Sequence, residues 1–247
     1  MQIRQETILN SLIQEASESS HEQVSDFVQG THMVGIKTLS SMGLCSKLPP
    51  EDLECSTLEI PQTPAETSLL LPRLKSQHSL DASWALAAIN SLLNNTRAQG
   101  LNLKAQDLLL RLGREKNVAV IGHFPFVNKM RDAFQEFWVI EKRPKPRDIP
   151  DTEMPAFLPR ADVIAITATT LLNNTLASVL SLASKNSVKI LMGPSTPMAS
   201  CLFHLGIDYL AGAKVLDPQE VSSGIKNNVC FRNLSGVDYF LLPKDHP

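Results

Sequence analysis

Residues 118–125, VAVIGHFP, decide the fold that we predict for this chain. The apolar run Val118–Ile121 is typical of a strand buried on both faces, and Gly122 allows a tight turn directly after it. Pro125 suits the first turn of a following helix. The stretch therefore predicts a strand that leads through a short loop into a helix, which is the unit that builds parallel sheets.

The same alternation continues toward the C-terminus. Strands and helices are predicted in turn at Val118–Ile121 (strand), Val127–Phe137 (helix), Trp138–Ile140 (strand), Val163–Thr167 (strand), Leu171–Ser184 (helix), Val188–Met192 (strand) and Met198–Leu205 (helix). Such alternation favours βαβ crossovers and a parallel sheet. We predict a Rossmann-like domain over residues 116–247.

The first half of the chain has a different pattern. Its predicted elements are an opening amphipathic helix (2–17), a hairpin with a third strand (Val24–Gln29, Met33–Leu39, Gly43–Lys47) and two helices (Asp81–Leu93, Lys104–Leu112). We predict an α+β domain over 1–115, with the boundary at the charged run Arg114-Glu115-Lys116. The predicted fold class is α/β, a Rossmann-like parallel sheet domain preceded by a smaller α+β domain.

Composition excludes several classes of partner. The 247 residues carry a net charge of −2 and no long basic run, so nucleic acid is not expected as a partner. The most apolar stretch, Val163–Leu182, is interrupted by threonines and asparagines, which argues against a membrane span. The N-terminus lacks the apolar core of a secretion signal. Together with scattered, unpaired cysteines, this predicts a cytoplasmic protein; the cysteines are Cys45, Cys55, Cys201 and Cys230.

The loop after the first parallel strand is the first candidate site. Gly122, His123, Phe124 and Pro125 follow the strand where helix N-termini and free backbone N–H groups are expected. His123 is a candidate metal ligand or proton acceptor. Glu141 follows Gly122 by 19 positions, close to the spacing at which an acid meets the ribose of a bound dinucleotide, although the full glycine fingerprint is absent.

Two further strand ends carry hydroxyl and amide groups. Thr167 ends one strand, and Thr169, Thr170 and Asn173 follow it. Polar side chains are more numerous at this strand end than helix capping requires. A rigid loop follows the next strand, and Ser195 or Thr196 in it is expected to cap a helix that begins at Pro197; its residues are Gly193, Pro194, Ser195, Thr196 and Pro197. Because these loops end neighbouring parallel strands, we expect them to surround one hollow that binds a ligand.

Three classes of function remain open on the residues alone. A binding protein would hold a small anionic ligand or a metal complex among these loops. An enzyme would use an adenosine-bearing cofactor of the nucleotide or S-adenosylmethionine type, with Glu141 on the ribose. An interaction module would bind no ligand there. Hydrolase chemistry by Ser195, His123 and Glu141 is disfavoured, because Ser195 lacks the strained elbow that exposes a nucleophile.

Several motifs together resemble a prokaryotic family named for heavy-metal chelation. They are VAVIGHFP (118–125), Ile140-Glu141, LPRADVIAIT (158–167), Asn174-Thr175-Leu176, GPSTP (193–197), Leu202-Phe203, Gly206 and ASWALAAIN (82–90). The resemblance implies a domain similar to the N-terminal domain of enolase packed on a Rossmann-like domain, with a ligand cleft between them. It also implies a role in metal homeostasis, with a metal ion or metal complex as the cofactor or ligand.

The resulting prediction is a protein that binds a small molecule or a metal ligand at the carboxyl ends of the parallel strands. The cysteines do not cluster, so the sequence itself gives little support to chelation by thiolates. A homodimer is expected only because dimers are the commonest assemblies of soluble proteins.

Overall fold

A computed structural model describes residues 3–19, 21–48, 65–94 and 100–245 of the chain. Cys55 lies outside the described residues. The strands are β1 (Gln23–Gln29), β2 (Met33–Thr38), β3 (Met42–Ser46), β4 (Ala65–Glu66), β5 (Asn117–Ile121), β6 (Glu136–Glu141), β7 (Ile149–Pro150), β8 (Val163–Thr167), β9 (Val188–Met192), β10 (Tyr209–Val215) and β11 (Val237–Pro243). The α-helices are α1 (Gln5–Ser17), α2 (Thr67–Leu70), α3 (Ser79–Leu93), α4 (Ala105–Gly113), α5 (Val127–Met130), α6 (Met154–Phe157), α7 (Leu176–Leu182), α8 (Ser200–His204) and α9 (Pro218–Lys226).

The larger sheet has seven strands in the order β11-β10-β9-β8-β5-β6-β7. Its strands pair in parallel except β11, which runs antiparallel to β10 along the edge. From β7 to β10 this order corresponds to 3-2-1-4-5-6, the order of doubly wound dinucleotide-binding sheets. The strand order reverses at β5, because β6 and β7 lie on one side of it and β8, β9 and β10 on the other. A crevice is therefore expected between β5 and β8, outside the carboxyl ends of the strands.

The smaller sheet is antiparallel and has the order β3-β2-β1-β4. Helix α3 lies on one of its faces and α9 on the other. Nearly every residue of α3 is buried, as expected for a helix that is apolar around its circumference. The predicted α/β fold class is therefore confirmed, with a large, mostly parallel sheet and a smaller antiparallel one.

Alternating residues of the large sheet supply two packed layers. Ala119 and Ile121 of β5 face the layer that includes α1, α3, α7 and α8, whereas Val118 and Val120 face α4 and α5. Helix α1 is tied to the C-terminal half, since Gln5 hydrogen-bonds with Leu171 and Ala177. The boundary at 115 and the likeness of 1–115 to the enolase N-terminal domain stay predictions.

Several predicted helices differ from the structure. The helix predicted at Val127–Phe137 is only the single turn α5 and a 3-10 turn at Arg131–Ala133, because β6 already begins at Glu136. The helix predicted from Leu171 begins at Leu176; a 3-10 turn precedes it, and Asn174 has a left-handed backbone with φ of 59°. None of the helices in the described part of the chain combines the length and apolarity that a membrane span requires.

The helix expected at Pro197 begins instead at Ser200, so neither Ser195 nor Thr196 caps it. Glu15 of α1 accepts hydrogen bonds from the backbone N–H groups of Ser200 and Cys201 and from the Ser200 hydroxyl. Burial alone would raise the pKa of Glu15, but these hydrogen bonds outweigh it and lower the pKa to about 2. The cap therefore comes from a helix that is distant in sequence.

Candidate functional site

The carboxyl ends of β5, β6 and β8 surround a cleft of about 450 Å³, which we call the main lobe. Lys47 and Leu48, which follow β3 of the smaller sheet, form part of its wall. The predicted site residues that line it are Gly122, His123, Phe124, Glu141, Thr167, Thr169, Thr170 and Asn173. Residues of three loops, up to 51 positions apart in sequence, are thus brought to one hollow.

A second cleft of about 620 Å³, the side lobe, adjoins the main lobe. His123, Phe124, Lys145, Thr167 and Thr169 line both lobes. The predicted residues Pro125, Gly193, Pro194 and Ser195 line the side lobe only. The turns that contain His123, Thr169 and Ser195 therefore share one cavity, as the sequence predicts.

The turn after β5 depends on Gly122, whose φ is 101°. A Cβ atom at this position would lie 3.0 Å from Cγ2 of Thr167, so the backbone of this turn passes close to the end of β8. Phe124 stacks on Phe126 at 5.3 Å between ring centroids and forms an apolar wall of both lobes. Gly122 thus lets the chain turn sharply enough to place His123 at the junction of the lobes.

His123 has a buried acidic partner. Its Nδ1 lies 2.7 Å from Oδ2 of Asp148, whose side chain is fully buried. The other oxygen of Asp148 accepts a hydrogen bond from Arg131, and the backbone N–H of Lys145 also donates to Oδ2. This chain of contacts fixes the orientation of the His123 ring.

The carboxylate of Glu141 accepts hydrogen bonds from the backbone of the loops around it. One of its oxygens accepts the N–H of His123 at 2.9 Å, and the other accepts the N–H groups of Lys142 and Arg143. The carboxylate therefore holds the loops after β5 and β6 together. Both oxygens already have donors, so a ribose hydroxyl would have to share them or displace one.

The loop after β6 also lines the main lobe, and the sequence-based prediction of the site did not include it. It reads KRPKPRD over 142–148, and Lys142, Arg143 and Lys145 line the main lobe. The signal was present, since four of these seven residues are cationic and follow a strand end directly. It was overlooked because short charge runs on a surface are usually solvated and carry no role.

The main lobe has an excess of positive charge. Among the described residues that line it, Lys47, Lys142, Arg143 and Lys145 are cationic, while Glu141 and Asp151 are acidic. The ammonium of Lys145 and the guanidinium of Arg143 make no ion pair within the described residues. A cleft lined by one excess sign of charge attracts ligands of the opposite sign.

The hydroxyls after β8 form a local network. Oγ1 of Thr167 and Oγ1 of Thr169 are 2.9 Å apart, and the Thr170 hydroxyl donates to the carbonyl of Thr167. The hydroxyl of Thr175, which also lines the lobe, donates to Oδ1 of Asn173. The structure thus brings all four predicted residues of this loop to the main lobe, with Thr170 almost fully buried.

The loop after β9 faces the protein more than the cleft. Ser195 is buried, and its Oγ accepts the backbone N–H of Ser46 at 2.9 Å. Thr196 is fully buried and lines neither lobe. Asn94 fixes the rest of the loop through the carbonyl of Thr196 and the N–H of Met198. Of the five residues predicted here, Gly193, Pro194 and Ser195 reach the side lobe, whereas Thr196 and Pro197 do not.

The described residues fit a bare metal ion poorly. They contain no group of three His, Cys, Asp or Glu side chains that could hold one. Burial raises the pKa of the Cys45 thiol to about 12, so it is not a thiolate at neutral pH. A metal carried in a complex needs fewer protein donors, and His123 at the lobe junction suits that role.

Solved structures share this fold across nearly the whole chain. A protein of unknown function of the DUF364 family from Desulfitobacterium hafniense superposes with a TM-score of 0.82 at 25% identity, covering 97% of this chain and 98% of that one. A DUF364 protein of unknown function from Pyrococcus horikoshii gives a TM-score of 0.80 at 21% identity, covering 95% and 99%. The second likeness bears on the fold alone.

Sequence comparisons agree with the structural ones. An uncharacterised protein of Methanocaldococcus jannaschii is 32% identical over 147 residues, which is 56% of this chain and 56% of that relative, so the match spans little more than half of either. Two family models, both described as "Putative heavy-metal chelation", match residues 10–93 (DUF4213) and 104–238 (DUF364). The chain belongs to the DUF364 family, as the motifs of its strand ends predict.

Proposed function

We propose that this protein binds a small anionic ligand, free or as the chelator in a metal complex, in the main lobe. The observation that carries the proposal is the charge of that lobe, where four cationic side chains face two carboxylates among the described residues. The family description suggests that the ligand takes part in metal handling.

The hydrogen-bonding groups of the main lobe support an oxygen-rich ligand. Thr169 and Asn173 offer hydroxyl and amide groups beside the basic loop 142–148. Carboxylates and phosphates bind well where cationic side chains and such donors converge, because charge-assisted hydrogen bonds are about twice as strong as neutral ones. The apolar wall of Phe124 excludes water from one side of the ligand.

Ligand binding is tested first on untreated protein. Mass spectrometry of the denatured protein and elemental analysis should detect a co-purified anion or metal. In parallel, citrate, nitrilotriacetate and phosphate are titrated while the melting temperature is recorded, since a ligand that binds only the folded state raises it. If no small molecule co-purifies and none of these anions raises the melting temperature, the proposal fails.

Two charge-reversal variants, one in the main lobe and one far from it, test whether the anion binds in the main lobe. Lys145→Glu places a negative charge in the lobe and should weaken nitrilotriacetate binding by about tenfold or more, as expected for one lost and one repulsive charge at a partly solvated site. Lys185→Glu makes the same change at the amino end of β9, on the opposite edge of the sheet, and should leave the affinity unchanged. Equal losses in both variants would mean that the anion binds by general charge and not in the lobe.

The rival function is an enzyme that uses an adenosine-bearing cofactor. The strand order favours it, because Gly122 and Glu141 end the two strands whose counterparts bind dinucleotides in doubly wound sheets. The hydrogen bonds of Glu141 to three backbone N–H groups weigh against it. A rise in melting temperature with NAD, FAD or S-adenosylmethionine that Glu141→Ala abolishes would establish this rival; unchanged melting with all three would remove it.

A further inference from the structure

The contact between His123 and Asp148 determines which ring nitrogen of His123 carries a proton. Asp148 is buried and lies between the Arg131 guanidinium, the His123 ring and the backbone N–H of Lys145. A carboxylate can only accept hydrogen bonds. Nδ1 of His123, 2.7 Å away, must therefore be the protonated nitrogen, and in the neutral ring Nε2 holds the lone pair.

Nε2 of His123 is the atom that remains for a ligand. Within the described parts of the chain it makes no hydrogen bond, and it is not among the buried polar atoms that lack one, so solvent reaches it. The ring lines both the main lobe and the side lobe. An imidazole oriented by a carboxylate behind Nδ1, with Nε2 in a cleft, is the arrangement that metal-binding histidines usually have.

We propose that Nε2 of His123 binds the metal of an anionic complex as the one donor atom that the protein supplies, and that Asp148 is its positioning residue. The Nε2 lone pair would replace a water molecule at an open coordination position of the metal. This inference rests on the proposed function, since the basic loop 142–148 would hold the anionic chelator. Imidazole suits copper, nickel and zinc, and the excess positive charge of the lobe disfavours a bare cation.

Two copper chelates separate coordination from charge. In Cu(II)–nitrilotriacetate the chelator leaves an open position, whereas in Cu(II)–EDTA it fills the coordination sphere and the complex carries more negative charge. Attraction by charge alone predicts that the EDTA complex binds at least as tightly. Coordination by His123 predicts that the nitrilotriacetate complex binds tighter by about tenfold or more, which is about 1.4 kcal/mol in binding free energy, measured by calorimetry.

Electron paramagnetic resonance gives a readout that charge cannot produce. Bound Cu(II)–nitrilotriacetate should show additional hyperfine coupling to an imidazole nitrogen in the wild-type protein. His123→Gln should remove both this coupling and the preference over Cu(II)–EDTA. His204→Gln, which removes an exposed histidine on α8, is the matched control and should change neither.

The positioning role of Asp148 is tested by the same preference for Cu(II)–nitrilotriacetate over Cu(II)–EDTA. Asp148→Asn should reduce the ratio of the two affinities by about tenfold or more, because loss of the negative charge weakens the hydrogen bond that orients the ring and lowers the basicity of Nε2. Asp162→Asn, which changes an acid that accepts a backbone N–H at the amino end of β8, should leave the ratio unchanged. A melting curve of each variant confirms that it is folded.

The outcomes distinguish the two proposals. If both complexes bind equally and the wild-type spectrum lacks nitrogen coupling, the inference about His123 is wrong while anion binding stands. If neither complex binds, no small molecule co-purifies, and none of citrate, nitrilotriacetate and phosphate raises the melting temperature, the proposed function itself is wrong. Because the absence of nitrogen coupling in the wild-type spectrum is enough to overturn the inference, a variant that fails to fold cannot rescue it.

Discussion

The loops after β8 and β9 both contain hydroxyl side chains but differ in what surrounds them. Each carries hydroxyl side chains where a parallel strand ends. Thr169 and Asn173 after β8 line the main lobe, whereas Ser195 and Thr196 after β9 are buried against β3 and α3. The first loop contributes groups to a cleft, and the second joins the large sheet to the small one. A polar strand end in sequence therefore does not indicate on its own whether its side chains bind a ligand or the protein.

Because their surroundings differ, we expect substitutions in the two regions to have opposite effects on stability and on ligand affinity. Changes in the β9 loop and its anchors should lower the free energy of unfolding and leave ligand affinity intact at temperatures where the protein is folded. Changes of the exposed side chains in the main lobe, Arg143 and Lys145, should lower ligand affinity and leave the free energy of unfolding nearly unchanged.

The largest loss of stability is expected for Asn94→Ala. The buried Asn94 amide donates to the carbonyls of Thr196 and Ala213 and accepts the N–H of Met198. Removing it leaves buried backbone groups without partners, at about 1–3 kcal/mol each, so we expect about 3 kcal/mol or more by urea denaturation. Asn186→Ala, at an exposed turn, should change stability by less than about 0.5 kcal/mol. Equal effects would contradict the role given to Asn94.

The pH dependence of the free energy of unfolding should reveal the contribution of the Glu15 cap on α8. Its folded-state pKa of about 2 lies below the ordinary value of 4.5 for this carboxyl group, so the cap stabilises the fold above pH 4.5 and its contribution is lost as the pH falls toward 2. Discounted for partial exposure of the side chain, the contribution is about 2 kcal/mol.

Glu15→Gln isolates this contribution from the other carboxylates. The difference in unfolding free energy between wild type and variant should be near its full value at pH 6 and should vanish near pH 2. Urea titrations at several pH values measure it. A difference that does not change with pH would show that the charge of Glu15 is not what stabilises the cap.

These long-range anchors mark the limit of prediction from sequence. The bounds of β8 and β9 are predicted correctly because a buried parallel strand is a continuous apolar run, which is a local signal. The partner of Ser195 is Ser46, 149 positions earlier, and no local sequence pattern predicts that contact. The capping role expected for Ser195 was therefore wrong, while its place beside the cleft was predictable from the strand end alone.

The acidic partner of His123 could not be predicted for the same reason, because it is distant in sequence. His123 stood out because it directly follows Gly122, but Asp148 lies 25 positions further on, beyond β6. The length of α5 was overestimated because Val127 and Met130 continue a helical apolar pattern, although the chain must return within a few residues to begin β6. Local periodicity predicts the type of an element more reliably than where tertiary pairing ends it.

A smaller loss of stability is expected for Ser195→Ala. The N–H of Ser46 would lose its acceptor, which should cost about 1–2 kcal/mol in urea denaturation. The affinity for nitrilotriacetate should stay within about twofold of wild type, because Ser195 lines the side lobe only. A large loss of affinity with unchanged stability would assign this hydroxyl to the ligand and remove the contrast between the two loops.

The smallest change in stability is expected in the basic loop after β6. Arg143→Ala and Lys145→Ala remove exposed side chains, so each should change the free energy of unfolding by less than about 0.5 kcal/mol. Each should still weaken nitrilotriacetate binding severalfold in calorimetry. Unchanged binding in both variants would mean that the loop does not hold the anion.

Direct inspection of the cleft tests the central claim, that the strand-end cleft holds an anionic ligand. A crystal structure of untreated protein, and one of protein soaked with Cu(II)–nitrilotriacetate, would be compared at the main lobe. We expect density for a non-protein group within hydrogen-bonding distance of Lys145 or Thr169, with the anomalous copper peak next to Nε2 of His123 in the soaked crystal. Ordered water alone in the lobe of both crystals would contradict the account.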